Sequence, residues 1–88
     1  QPEAEAFDVQ NVPPLSAMPS HFQNQVPSID FTMHIYSSKG DGWVRVNGKD
    51  AYEGDVIAEG LTLKKIDVQN VVLEFKGEVF TLPSMSQW

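Results

Sequence analysis

The sequence predicts an all-β fold, a small antiparallel β-sandwich or semi-open barrel of five to six short strands with a short N-terminal helix. Three observations lead there. Apolar residues alternate with polar ones in short stretches, most clearly over Ile29-Asp-Phe-Thr-Met-His-Ile35. Turn signals such as Asn47-Gly48 recur at short spacing. No 10–15-residue helical pattern separates the strands, which argues against a parallel βαβ sheet.

The elements follow in order. Residues 1–19 (QPEAEAFDVQNVPPLSAMP) read as a flexible, acidic, Pro-containing linker, and residues 20–88 as the β-domain. Pro13-Pro14 forbids a continuous helix in the linker, where Phe7, Val9, Val12 and Leu15 are expected to be mobile. Ser20 is the expected N-cap of a helix that runs to about Val26 and stops at Pro27. Phe22 and Val26, four apart, share the face that caps the core.

In the first strand Ile29, Phe31, Met33 and Ile35 are expected to face inward, and Asp30, Thr32, His34 and Tyr36 outward. Ser37–Gly42 is a turn cluster. Trp43–Val46 is the second strand, with Val44 and Val46 inside and Trp43 and Arg45 outside. Asn47-Gly48 turns it into a third strand, Lys49–Tyr52, because both central residues of a type I′ turn need positive φ. Val56-Ile57 is a brief extended piece. Strands Leu61–Ile66, Val71–Lys76 and Val79–Leu82 complete the set, the last two joined by Gly77-Glu78 and ended by Pro83. The tail from Ser84 to Trp88 is expected to be loose, with Trp88 packing back. The core should comprise Phe31, Met33, Ile35, Val44, Val46, Leu61, Leu63, Ile66, Leu73, Phe75, Phe80 and Leu82.

Composition removes several function classes. Twelve acids against six bases give a net charge of −6, which speaks against nucleic acid and against anionic lipid as partners. Five of six prolines lie at or before Pro27, and the first base is Lys39. With no cysteine there is no disulfide or thiolate metal site, which fits a periplasmic domain. The first residue is Gln1 and not Met, so a fragment or processed form is expected, with any membrane anchor or targeting segment outside residues 1–88.

Apparent motifs dissolve on inspection. Gly42, Gly48, Gly54 and Gly60 recur every six residues, but Asp41, Asn47, Glu53 and Glu59 precede them, so no apolar β-helix ladder forms and the glycines mark turns. Gly42–Lys49 has five residues between its glycines, and Asp50 stands where a phosphate loop needs Ser or Thr. Two histidines, His21 and His34, are too few for a catalytic zinc site on their own, and neither metal nor cofactor is expected. No G-x-S-x-G elbow exists, and the acids Asp50, Glu53 and Asp55 belong to turns, so the chain is not expected to be an enzyme.

What remains is recognition by surface. An open sheet of this size leaves an edge for strand addition. The candidate partner-binding residues are therefore Asp30, Thr32, His34 and Tyr36 on the first strand, with Trp43 and Arg45, residue types enriched at binding hot spots. Trp43 and Arg45 equally suit a cation–π contact within the chain. Tyr36, Trp43 and Tyr52 suit a second function, stacking on peptidoglycan or another glycan.

His34-Ile-Tyr-Ser-Ser38, Val44-Arg-Val-Asn-Gly-Lys49, Tyr52-Glu-Gly-Asp55, Gly60-Leu-Thr-Leu63, Ile66 and Val71-Val-Leu73, in this order and spacing, resemble one family. It is the C-terminal periplasmic domain of general secretion pathway protein B, of the type II secretion system. Met18-Pro19 and Phe22-Gln-Asn-Gln-Val-Pro27 are similar to the short helix before that family's first strand. The resemblance implies a periplasmic scaffolding domain on a chain anchored in the inner membrane, which binds the N-terminal periplasmic domains of the outer-membrane secretin and assists its assembly. It also implies the membrane ATPase, protein A, as a further partner. Homodimerisation through the first strand's edge is a separate expectation.

Overall fold

The computed structural model describes residues 11–88. A 3₁₀ turn, Leu15–Ala17, and a one-turn helix α1, Ser20–Gln23, precede seven strands. These are β1 (Phe31–Ile35), β2 (Trp43–Val46), β3 (Lys49–Tyr52), β4 (Val56–Ala58), β5 (Leu61–Ile66), β6 (Asn70–Phe75) and β7 (Glu78–Pro83). They form two antiparallel sheets, β1-β2-β3 and β4-β5-β6-β7. The strand number exceeds the expected five to six because Val56–Ala58 pairs fully enough with β5 to count as a strand.

Turn chemistry fixes the hairpins. Val46 pairs with Lys49 across Asn47 (φ 52°) and Gly48 (φ 84°), the two positive φ values of a type I′ loop. Asn47 does more than turn. Its Oδ1 accepts the Asp30 N–H at 2.9 Å and its Nδ2 donates to the Ser28 carbonyl at 3.0 Å, so the hairpin also holds the approach to β1. In the last hairpin the loop is Lys76-Gly77, with φ 54° and 82°, one residue earlier than Gly77-Glu78, since Phe75 pairs with Glu78.

The core lies between the sheets. Phe31, Val44, Val46 and Ala51 from the first meet Leu61, Leu63, Ile66, Val71, Leu73, Phe75, Phe80 and Leu82 from the second. Phe22 of α1 packs edge-on against Phe75 (5.9 Å) and Phe80 (5.8 Å), and so closes one end of the sandwich. The helix is shorter than expected, and Ser20 is not its cap. Pro19 holds the N-cap position, and its carbonyl accepts the N–H groups of Phe22 and Gln23 at 3.0 Å each.

Three expectations are corrected. Leu15 is not mobile linker; it is fully buried in the core. Pro14 is extended (φ −69°, ψ 154°) and bridges Thr81 in parallel, while the Pro13 carbonyl accepts the Thr81 N–H at 2.9 Å. The prolines that exclude a helix suit an edge strand, where a missing N–H costs nothing. The packed domain therefore begins by Pro13, and residues 1–10 of the expected linker, with Phe7 and Val9, lie outside the described residues.

The tail is not loose. Trp88 N–H donates to the Ile29 carbonyl at 2.6 Å, Ile29 N–H to Trp88 at 3.3 Å, and Phe31 N–H to Ser86 at 3.0 Å, so the tail runs beside β1 as a short antiparallel strand. Finally, Met33 and Ile35 do not join the core: they are 37% and 43% exposed. The register of β1 slips between Phe31, opposite Val46, and Met33, opposite Arg45. A bulge of this kind inserts a residue and inverts the in–out alternation beyond it.

Side-chain truncation separates the two environments. Leu15→Ala and Leu73→Ala should each cost about 2–5 kcal/mol, since each opens a cavity in a closed core. Met33→Ala should cost less than about 1 kcal/mol. Urea denaturation of the three variants measures all three values.

Candidate functional site

The bulge assembles the outer face of the three-stranded sheet. Cα partners in an antiparallel pair place their side chains on the same side. The register gives two rows across β1, β2 and β3: Met33–Arg45–Asp50 and Ile35–Trp43–Tyr52. Tyr52 is half exposed, and Tyr36, just past the end of β1, is exposed to a similar extent as Ile35. Met33, Ile35, Trp43 and Tyr52 thus line a solvent-facing sheet surface.

One ion pair sits within it. Arg45 Nε donates to Asp50 Oδ1 at 2.8 Å, and the guanidinium carbon lies 5.6 Å from the centre of the Trp43 ring. The hydrogen bond and charge of Asp50 push the Arg45 pKa still higher. Arg45 therefore stays charged, and its charge is already answered within the face.

The expected site residues distribute as follows. Trp43 and Arg45 come together on the outer face, as the alternation required. Thr32, at the bulge, and Tyr36 are exposed. Asp30 is partly buried, opposite Gln87 of the tail, whose Nε2 donates to Asp30 Oδ1 at 3.4 Å. His34 is the correction: it pairs with the buried Val44, shares that inward side, and its Nε2 is buried without a hydrogen-bond partner. The places assigned by alternation to His34 and its neighbours are taken by Met33 and Ile35. One signal for this was available. Ile29–Ile35 offers four inward apolar positions against two, Val44 and Val46, on the strand beside it, so a continuous register leaves two without partners.

Behind this face, the β1 edge is divided. The tail's backbone bonds stop at Phe31 among the described residues, leaving Met33–Ile35 open. Gly42 sets the far end of the strand. A Cβ there would collide with the Ile35 carbonyl oxygen and crowd the Ser37 N–H, so the loop back to β2 passes too close for any side chain.

The turn acids have local duties. Asp55 Oδ2 accepts the Tyr52 N–H at 2.8 Å, and Glu53 Oε2 accepts the Ile66 N–H at 2.9 Å. Among the described residues no group of three or more His, Cys, Asp or Glu side chains is placed to hold a metal ion. No helix among them is long and apolar enough to cross a membrane.

Two packed sheets, with an exposed apolar-aromatic face beside a half-open strand edge, define a small β-sandwich domain. The chain belongs to the family described as type II secretion system protein B, which it matches over residues 26–84. It is 37% identical over 65 residues to general secretion pathway protein B of Dickeya dadantii, covering 73% of this chain and 30% of that protein. It is 30% identical over 76 residues to the protein of the same name from Aeromonas hydrophila, covering 85% of this chain and 34% of that one. The chain thus spans about a third of the length of these curated relatives. The crystal structure of Dickeya dadantii GspB from the type 2 secretion system superposes with a TM-score of 0.68 at 38% identity, covering 72% of this chain and 76% of that one.

Arg45→Ala should uncover the Trp43 ring while leaving the melting temperature nearly unchanged, because the pair it breaks is exposed. In a Trp88→Phe background, where Trp43 is the single tryptophan, acrylamide quenching of the fluorescence should rise.

Proposed function

We propose that this domain is a non-enzymatic scaffolding module of the type II secretion machinery, which binds the N-terminal periplasmic domains of the outer-membrane secretin and assists its assembly. It works in the periplasm, on a chain anchored in the inner membrane by a segment outside residues 1–88. The membrane ATPase, protein A, is a further partner, and a second copy of the domain competes for the same edge. Membership of the type II secretion system protein B family supports this reading. The observation that carries it is the open β1 edge beyond Phe31, flanked by exposed Met33, Ile35 and Tyr36. A partner strand there gains backbone hydrogen bonds from the edge and apolar contacts from the face.

A second reading, glycan binding, draws on Trp43 and Tyr52, which are Cα partners on the outer face. It is the weaker one, because Arg45 already lies over the indole that a sugar ring would stack upon.

Titrating the isotope-labelled domain with purified secretin N-domains decides between them. Saturable binding with NMR shifts centred on Met33–Tyr36, Trp43 and Arg45 is the expected result. Absence of binding at about 500 μM, well above the Kd range of a functional interface, would overturn the secretin assignment. Loss of sedimentation with cell-wall sacculi on Trp43→Ala would instead establish the glycan reading.

A further inference from the structure

The tail seated on β1 shows what the edge accepts. Ile29 and Trp88 exchange both backbone hydrogen bonds, and Phe31 N–H reaches Ser86. Asp30 and Gln87 face each other between them. The added strand is antiparallel and three residues long, and it brings an aromatic side chain, Trp88, that remains 36% exposed. Beyond Phe31 the same edge continues without a backbone partner among the described residues.

Two features bear on how firmly the tail is seated. The tail reaches it through a tight reversal after β7, where Met85 takes φ 62°, unusual for a residue with a side chain, and Ser86 Oγ donates to the Pro83 carbonyl at 2.6 Å. Its side chains also stay out of the core: Ser86, Gln87 and Trp88 are absent from the buried cluster that every strand of both sheets except β4 supplies. It contributes backbone hydrogen bonds and partial cover of the Trp88 ring, and an incoming strand supplies the same bonds.

We propose that Ser86–Trp88 is a displaceable strand that fills half of the β1 edge in the free domain, and that an extended, antiparallel partner strand takes its place. The partner segment pairs with Ile29 and Phe31 where the tail now sits and continues along Met33–Ile35. That gives it roughly twice the length of edge that the tail leaves open. The inference rests on the reading of β1 as the binding edge and adds that this edge carries an internal competitor. Affinity is then reduced by the fraction of time the tail is seated.

A reversible lock tests it. The chain has no cysteine, so Asp30→Cys with Gln87→Cys creates a single pair. Their position, between hydrogen-bonded pairs, is one where opposed Cα atoms approach to about 4.5 Å, within disulfide range. The oxidised variant should bind the secretin N-domains at least tenfold more weakly than the same protein after reduction. A chain ending at Met85 should bind more tightly than the parent. Equal affinity of the oxidised and reduced forms would overturn the proposal while leaving partner binding in place. If neither form binds, the functional reading fails, and hydrogen exchange in the free 88-residue chain decides on the tail alone. The Ile29 and Phe31 amides should exchange by local opening, faster than the core amides of β6. Exchange of those two amides only through global unfolding would make the tail a permanent strand and refute its displacement.

Discussion

The slip in register between Phe31 and Met33 is the constraint on which the character of this domain turns. Up to Phe31 the strand obeys its own alternation, and Phe31 is buried against Val46. Beyond it the parity reverses, because side chains in a strand alternate with a period of two and one inserted residue moves all that follow to the opposite side. Met33 and Ile35 go out to solvent, and His34 turns in behind them beside Val44. Without the bulge the outer face would present Thr32, His34 and Tyr36 above Trp43. With it, Ile35, Trp43 and Tyr52 stand in one row across three strands.

The same domain treats its edges unequally. On β7, Pro13 and Pro14 lie against Thr81, and a proline there ends the pairing because it offers no donor to another strand. At the corner between the sheets, the turn after β3 is tied to β5: Gly54 N–H donates to Leu63 at 2.7 Å, Leu63 N–H to Asp55 at 2.8 Å, and Glu53 receives the Ile66 N–H. On β1 the tail covers the first half and then stops. Edges closed by proline and by side-chain carboxylates are costly to open, since a buried N–H left without an acceptor loses about 1–3 kcal/mol. The first half of the β1 edge is closed by a short antiparallel strand, whose bonds an incoming strand can replace one for one.

Legibility from sequence follows from the range of the interaction involved. Asn47-Gly48 announced its turn because the φ requirement is local. Leu61, Leu63, Leu73 and Leu82 were readable as inward for the same reason, although β5 slips in register after Leu63 and Val72 is buried beside Leu73. The bulge was harder to read, because nothing within Ile29–Ile35 distinguishes a continuous strand from a bulged one; the one sequence signal lies in the shorter partner strand, and the anchor at Asn47 completes it. Leu15 and the looseness of the tail ending in Trp88 were misjudged on similar grounds, although Trp88 does pack back as expected. Both lie in stretches without periodicity, and both are placed by backbone bonds to residues more than 50 positions away, Pro13 to Thr81 and Trp88 to Ile29. Of the candidate surface, Trp43, Arg45 and Tyr36 were recognisable by residue type, whereas Met33 and Ile35 looked like core.

The charge balance of the face adds a last element to the proposed binding. Acids outnumber bases twelve to six over the chain, so a basic partner is favoured at long range. On the outer face itself Arg45 and Asp50 already neutralise one another. Covering this face therefore need not strand an unpaired charge, the outcome that would cost most in a dry contact. Met33, Ile35, Trp43 and Tyr52 are then free to contribute apolar area without an electrostatic penalty beneath them. In the complex we propose, direction of approach and strength of contact would thus be set by different residues: the former by the acids spread over the chain, the latter by a locally neutral apolar face that exists because one residue was inserted into β1.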